Sequence, residues 1–477
     1  MSRHCKTWMM LVSVLALCGC THHILPPEPP IESVDYAGIK RIVYSQHVQP
    51  IFNQKCSSKA CHNSNDRAAG LELTSWQALM RGSDYGAVLV SGIAQRSHLI
   101  EHLNEESKPR MPLGRDPLPP AVTAFLARWI DEGAKNDAGE KPYVHLQKKI
   151  YVANQGDDLI SVISSEHHLV TRLLPVGDAP TLDVPHNIFV DKQKKFLYAA
   201  LTSAGELWKF DLAADSFVSK GVAGNSPAHV VVTSDGGKAY VTNWEVLNLR
   251  GVVQVLETAT MRKVGEIEVG IAPHGLNFSR DGKLLYVASY VSDTISILRV
   301  ADDQEIERVP LAPDVVPIRS FKYQPVQVVV TPDDRFAYVT CSKTNEVRVL
   351  DTASKEVSAV VTVGKEPFQL QVTPSGEYVF VANRSSNNVS VIRVADNQVV
   401  KTIESAGFAN PHGVAFSADG RYAYITNENV NGRYHAHHPG EQGGAPGNLQ
   451  VIDTATYQVV KTIEVEASPT GVVCVER

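Results

Sequence analysis

The sequence predicts a multidomain molecule: a small all-α domain followed by an all-β, seven-bladed propeller closed by its own C-terminal strand. Three observations carry the prediction. From residue 146 to the end, the chain repeats itself with a period of about 45 residues, the length of a four-stranded propeller blade. Residues 36–138 lack that texture and show helical spacing instead. The repeats also begin and end out of phase, so the last segment supplies what the first repeat lacks.

The N-terminus stands apart from both. Arg3 and Lys6 precede an apolar stretch from Trp8 to Leu17, and Leu17-Cys18-Gly19-Cys20 closes it. No apolar run reaches the roughly 18 residues that a membrane-spanning helix needs. The closing tetrapeptide resembles a bacterial lipobox. That resemblance implies removal of residues 1–19 as a signal peptide and acylation of Cys20. The chain would then sit on the periplasmic side of a bacterial membrane, or on the outer surface, held by lipid alone; a plain secretory signal would export it equally. Residues 20–35 form a Pro-rich tether, with Leu25-Pro-Pro-Glu-Pro-Pro30 too stiff for a helix or a core. Without residues 1–19 the net charge falls from −6 to −8, 43 basic against 51 acidic residues, which argues against a nucleic-acid partner and suits a basic redox protein.

In the helical domain, Val122, Phe125, Leu126, Trp129 and Ile130 recur at helical spacing behind Pro119-Pro120, and Gly133 ends the run. The chemistry lies earlier. Cys56-Ser-Ser-Lys-Ala-Cys61-His62 brings two thiols and an imidazole onto one short loop, the set that covalent haem c requires: two thioethers to the porphyrin and one axial ligand to iron. Four residues separate the thiols here, where two are usual. A Cys56–Cys61 disulfide and a Cys/His zinc site are the alternatives, although the domain offers no further cysteine for zinc. Val48-Gln-Pro-Ile-Phe52, Gly70-Leu-Glu-Leu73, Met111-Pro112 and Trp129-Ile-Asp-Glu-Gly-Ala134 together resemble the small planctomycete-type cytochrome c domain. The resemblance implies that Met111 is the second axial ligand; His98 and His102 compete with it.

In the repeats, Tyr151-Val-Ala-Asn154, Tyr240-Val-Thr-Asn243 and Tyr424-Ile-Thr-Asn427 are the clearest of seven copies of one strand, the others starting at Tyr198, Tyr286, Tyr338 and Phe380. Most copies follow a proline-led strand and precede two more, giving four strands per blade. The first copy lacks its proline strand, and Pro469-Thr-Gly-Val-Val-Cys-Val475 is left over at the end, so the tail completes the first blade. The pattern resembles the bacterial propellers named for Tyr-Val-Thr-Asn (YVTN) repeats, a likeness that implies fold and says little of activity. Cys341 and Cys474 fall on different blades and read as buried free thiols.

Strand connectivity places every long insertion (Trp244–Arg250, Glu428–Asn448, and Pro313–Gln324 with Arg319, Lys322 and Tyr323) on the face where the proline-led strands begin. The residues lining that channel mouth read His186, His229, His274, Gln327, Gln369, His412 and Thr470. In a regular strand His229, one position later than the others, would turn away from its fellows. A copper ion or second redox centre held by His186, His229, His274 and His412 is one expectation; an ordinary Pro-His-Gly turn is the other. Three functions follow: an electron-transfer protein with haem c, meeting a protein partner on the propeller; an oxidoreductase acting on a small-molecule substrate at the mouth; or a non-redox surface-binding module. No catalytic residue can be assigned from the sequence.

Overall fold

Apolar residues three and four positions apart build the N-terminal domain around short helices. The computed structural model describes residues 29–178, 180–247, 249–313, 315, 320–437 and 444–476; the expected signal segment, Cys20 and Arg319 lie outside these. Four α-helices, α1 (Gln49–Lys55), α2 (Trp76–Met80), α3 (His98–Leu103) and α4 (Pro120–Asp131), surround one core. Val122, Phe125, Leu126, Trp129 and Ile130 are all buried, as the spacing in α4 requires. Ser75 caps α2 by accepting the Ala78 N–H at 3.1 Å. The core reaches back to Ile31, ahead of the boundary expected at Tyr36. The cause is Gln54 on α1, which accepts the Ile31 N–H at 3.2 Å and donates to the Pro29 carbonyl at 3.0 Å. An apolar side chain just behind the prolines is thus pinned against the helix.

Residues 148–476 form seven four-stranded antiparallel sheets around an axis. The second strands are buried almost throughout, packed on both faces, whereas an outer strand such as Gln398–Glu404 is largely exposed. Blade one is composite: Pro469–Glu476 pairs with Lys148–Asn154, in register from Lys148↔Glu476 to Val152↔Val472. The ring therefore closes by strand pairing between the two ends of the repeat region.

Two recurring side chains of the second strand join neighbouring blades. The tyrosine reaches the tight turn between the two outer strands of the next blade: Tyr151 donates to Asp215 and Tyr338 to Asn397, each at 2.6 Å, and Tyr240 donates to Asp303. The threonine reaches the next inner strand: the hydroxyls of Thr242, Thr340 and Thr426 donate to the carbonyls of His274, Phe368 and Thr470 at 2.6–2.7 Å. A tyrosine or threonine in this repeat is therefore a blade-to-blade tie as well as a strand former.

Every inner strand starts at a proline: 185, 227, 273, 325, 367, 411 and 469. Just after it the pairing with the second strand slips by one residue, as between Pro273↔Ser289 and Leu276↔Val287. This is a β-bulge, and it redirects the two residues behind each proline.

Candidate functional site

The bulge and the threonine tie build the channel mouth. Thr242 accepts the His229 N–H at 3.0 Å and donates to the His274 carbonyl, fixing two histidine backbones from adjacent blades with one hydroxyl. Thr470 does similar work at the chain closure, donating to the His186 carbonyl at 2.8 Å. The four histidines converge. The His186 ring lies 5.6, 5.3 and 5.3 Å from those of His229, His274 and His412, and His229 is 4.6 Å from His274. A strictly regular strand would turn His229 across the sheet; the bulge brings it to the axis, where it was expected with the other three.

One ring nitrogen from each of His186, His229 and His274 lies within 4.8 Å of the other two, and the Nε2 atoms of His186 and His274 are 3.3 Å apart. His229, His274 and His412 are 1–3% exposed, while His186 keeps some contact with solvent. Desolvation holds all four imidazoles neutral: His186 is pushed down to about 4 and His274 to about 3, and His229 and His412 also lie well below the usual histidine value. Neutral imidazole is the ligand form. Trp244 and Phe368 close the sides, with ring centres 5.3 Å from His274 and 4.5 Å from His412. Arg384 donates to Glu428 at 2.7 Å, and Glu428 stands 3.9 Å from His412 Nε2. Of the other expected mouth residues, Gln369 contacts His229 at 3.5 Å, and the Gln327 amide oxygen is buried without a partner among the described residues.

Phe368, Glu428 and Arg384 were not anticipated. Phe368 follows Pro367 as His274 follows Pro273, and that register alone could have revealed it. Nothing in the sequence joins Arg384 to Glu428, which meet across two blades.

In the helical domain the Cys56 N–H ends α1 by donating to the Phe52 carbonyl, and the loop folds back so that the His62 N–H reaches the Cys56 carbonyl. Both cysteines are free thiols, and burial pushes the Cys56 thiol up to about 12. His62 Nδ1 donates to the Ala68 carbonyl at 3.1 Å, which leaves Nε2 with its lone pair, the arrangement a histidine ligand needs. Cys56 and Met111 pack against the same core. These residues fit haem c. Unlike the channel-mouth histidines, Cys56, Cys61 and His62 do not bring three ligand atoms within 4.8 Å of one another. Of the competitors to Met111, His98 is engaged by Glu101 at 3.0 Å, whereas His102 donates through Nδ1 to the Pro109 carbonyl at 2.9 Å and lies close enough to disfavour a charge on His62.

The helical domain rests on blades one and seven. Arg96 pairs with Glu466 at 2.6 Å and with Asp157 at 3.4 Å, and Val90 packs with Leu159 and Leu173. A cleft of about 350 Å³ lies between the two parts, lined by Arg96, His98 and Glu101 on one side and by Ile463, Glu464 and Glu466 on the other.

Comparisons with known proteins agree with both halves. Residues 59–112 match the family model for Planctomycete cytochrome C, a span that includes Cys61, His62 and Met111 and begins after Cys56. Residues 299–477 match the model for the YNCE-like beta-propeller. Among solved structures, hydrazine synthase of Kuenenia stuttgartiensis is similar at 19% identity and a TM-score of 0.50, over 62% of this chain and 93% of that one. A functionally unknown protein from Desulfotomaculum acetoxidans is similar at 15% identity and a TM-score of 0.56, over 69% of this chain and 99% of that one. At these identities the likeness is one of fold. The chain thus combines a cytochrome c-like domain with a seven-bladed propeller whose C-terminal part matches the YNCE-like model.

Proposed function

We propose that the protein is an exported, lipid-anchored electron-transfer cytochrome. Cys56 and Cys61 bind haem c covalently, His62 and Met111 take the axial positions, and the propeller is the platform on which a redox partner docks. The observation that carries this reading is the His62 side chain, held by the Ala68 carbonyl in the tautomer that presents Nε2, directly after the second of two free thiols. When bound, haem c supplies a one-electron couple, and a thioether opposite the imidazole raises its potential. The protein's own part is to orient His62, to bring Met111 against the core that buries Cys56, and to exclude water. The net charge of −8 after signal removal favours a basic soluble partner. Export and acylation at Cys20 rest on the sequence of residues 1–20. No described helix is long and apolar enough to cross a membrane.

The test is an optical spectrum and haem stain of protein made in a host that matures c-type cytochromes. The wild type is expected to show one c-type spectrum, and Cys61→Ser to lose one thioether and most of its haem. An unchanged spectrum and stain in Cys61→Ser would refute the attachment. The second reading, an oxidoreductase working at the propeller mouth, is favoured by one observation, the convergence of four buried histidines.

A further inference from the structure

The histidine cluster has an electronic peculiarity. His274 Nδ1 lies 3.0 Å from the Val326 carbonyl, an acceptor only, so Nδ1 carries the proton and Nε2 carries a lone pair. His186 Nδ1 lies 3.2 Å from the Gln155 amide oxygen, and with the amide in that orientation the same tautomer follows. Two Nε2 lone pairs therefore face each other at 3.3 Å. The contact is repulsive as it stands, and a cation between the two nitrogens would make it attractive. The spacing suits one: two nitrogens each about 2.0 Å from a tetrahedral metal stand about 3.3 Å apart. The third nitrogen comes from His229. A separate observation points the same way. His412 is 1% exposed, its Nδ1 has no hydrogen-bond partner among the described residues, and its ring centre is 5.3 Å from that of His186.

Charge decides which cation. The cluster is neutral, and the nearby carboxylate of Glu428 is already engaged by Arg384. The cost of burying an ion rises with the square of its charge, so an uncompensated divalent ion is disfavoured about fourfold more than a monovalent one. Imidazole is a good ligand for copper, and the rings of Trp244 and Phe368 pack against His274 and His412. His186 is the one partly exposed member.

We propose that His186, His229 and His274, with His412 beside them, form a buried site for one monovalent copper ion at the mouth of the propeller channel. The site is independent of the haem reading.

The experiment is an anaerobic Cu(I) titration of the full-length protein against a competing Cu(I) chelator, with haem iron counted separately. One copper per chain is expected, with an X-ray absorption shell of nitrogen neighbours at about 2.0 Å and no sulfur. His186→Ala and His274→Gln should each weaken binding 100-fold or more while the haem spectrum and the unfolding midpoint stay put; Cys341→Ser should bind as the wild type does. If a histidine variant fails to fold, the wild-type stoichiometry and absorption shell still decide the matter. No copper retained against the chelator would overturn the proposal and leave a hydrogen-bonded core in which Gln155 presents its amide nitrogen instead. A sulfur shell, or stoichiometric Zn(II) held in preference to Cu(I), would overturn it as well.

Discussion

Removing residues 468–477 should unfold the whole propeller rather than fray its end. The lost strand, Pro469–Glu476, is the innermost strand of blade one and the only link that closes the described ring. Val472 and Val475 are 8% and 3% exposed, and burying two such side chains contributes about 4 kcal/mol. The truncation also strips ladder partners from Lys148–Asn154, and even two buried groups left unpaired there add about 4 kcal/mol. Thr470 would no longer hold the His186 carbonyl or receive the hydroxyl of Thr426. The sum of about 8 kcal/mol compares with a typical total stability of about 5–15 kcal/mol. Urea unfolding with limited proteolysis reads the result: the truncated chain should aggregate or be cleaved throughout the propeller. Val475→Ala, which keeps the strand, should cost only about 2 kcal/mol. A soluble, protease-resistant truncated protein with the wild-type midpoint would show that closure does not depend on this strand.

Other expectations follow from the same contacts. Met111→Ala should lower the haem potential in a redox titration; an unchanged potential, with a fall in His102→Ala instead, would move the axial role to His102. Arg96→Ala should cost about 3 kcal/mol and expose the segment between the domains to protease, because it strips a cation from the buried carboxylate of Asp157; wild-type cleavage would mean that the apolar contact at Val90 suffices. Gly471→Ala should destabilise the propeller by about 1–3 kcal/mol in denaturant melts, since its methyl would meet the backbone of Asn187 and Ile188 at 2.9 Å; an unchanged midpoint would mean that the neighbouring inner strand can yield.

The propeller was legible because its repeats carry their own bookkeeping. Tyrosines and prolines recur at fixed offsets, and the surplus strand at the end matches the deficit at the start. The face carrying the histidines was legible as well, since strand connectivity alone decides where loops fall. The orientation of His229 was not. A period of two predicts the wrong side for it, and the bulge that corrects this follows from Thr242 accepting its N–H, a contact between strands that no local pattern announces. The Arg384–Glu428 pair was hidden for the same reason, being 44 residues apart and on different blades. In the helical domain the loop Cys56–His62 could be read as chemistry from residue types alone. The role of Ala68 could not, because it acts through its backbone carbonyl, which carries no sequence signature.

Attachment of one haem to both Cys56 and Cys61 can be read directly, because a tryptic site lies between them. Trypsin cuts after Lys55, Lys59 and Arg67, so the digest separates residues 56–59 from residues 60–67, one cysteine in each. Mass spectrometry of the reduced digest should find these two fragments still joined, as one species heavier by one haem. Two free fragments with unmodified thiols, released by reductant, would mean that the pair is at most a disulfide and that no haem is attached there.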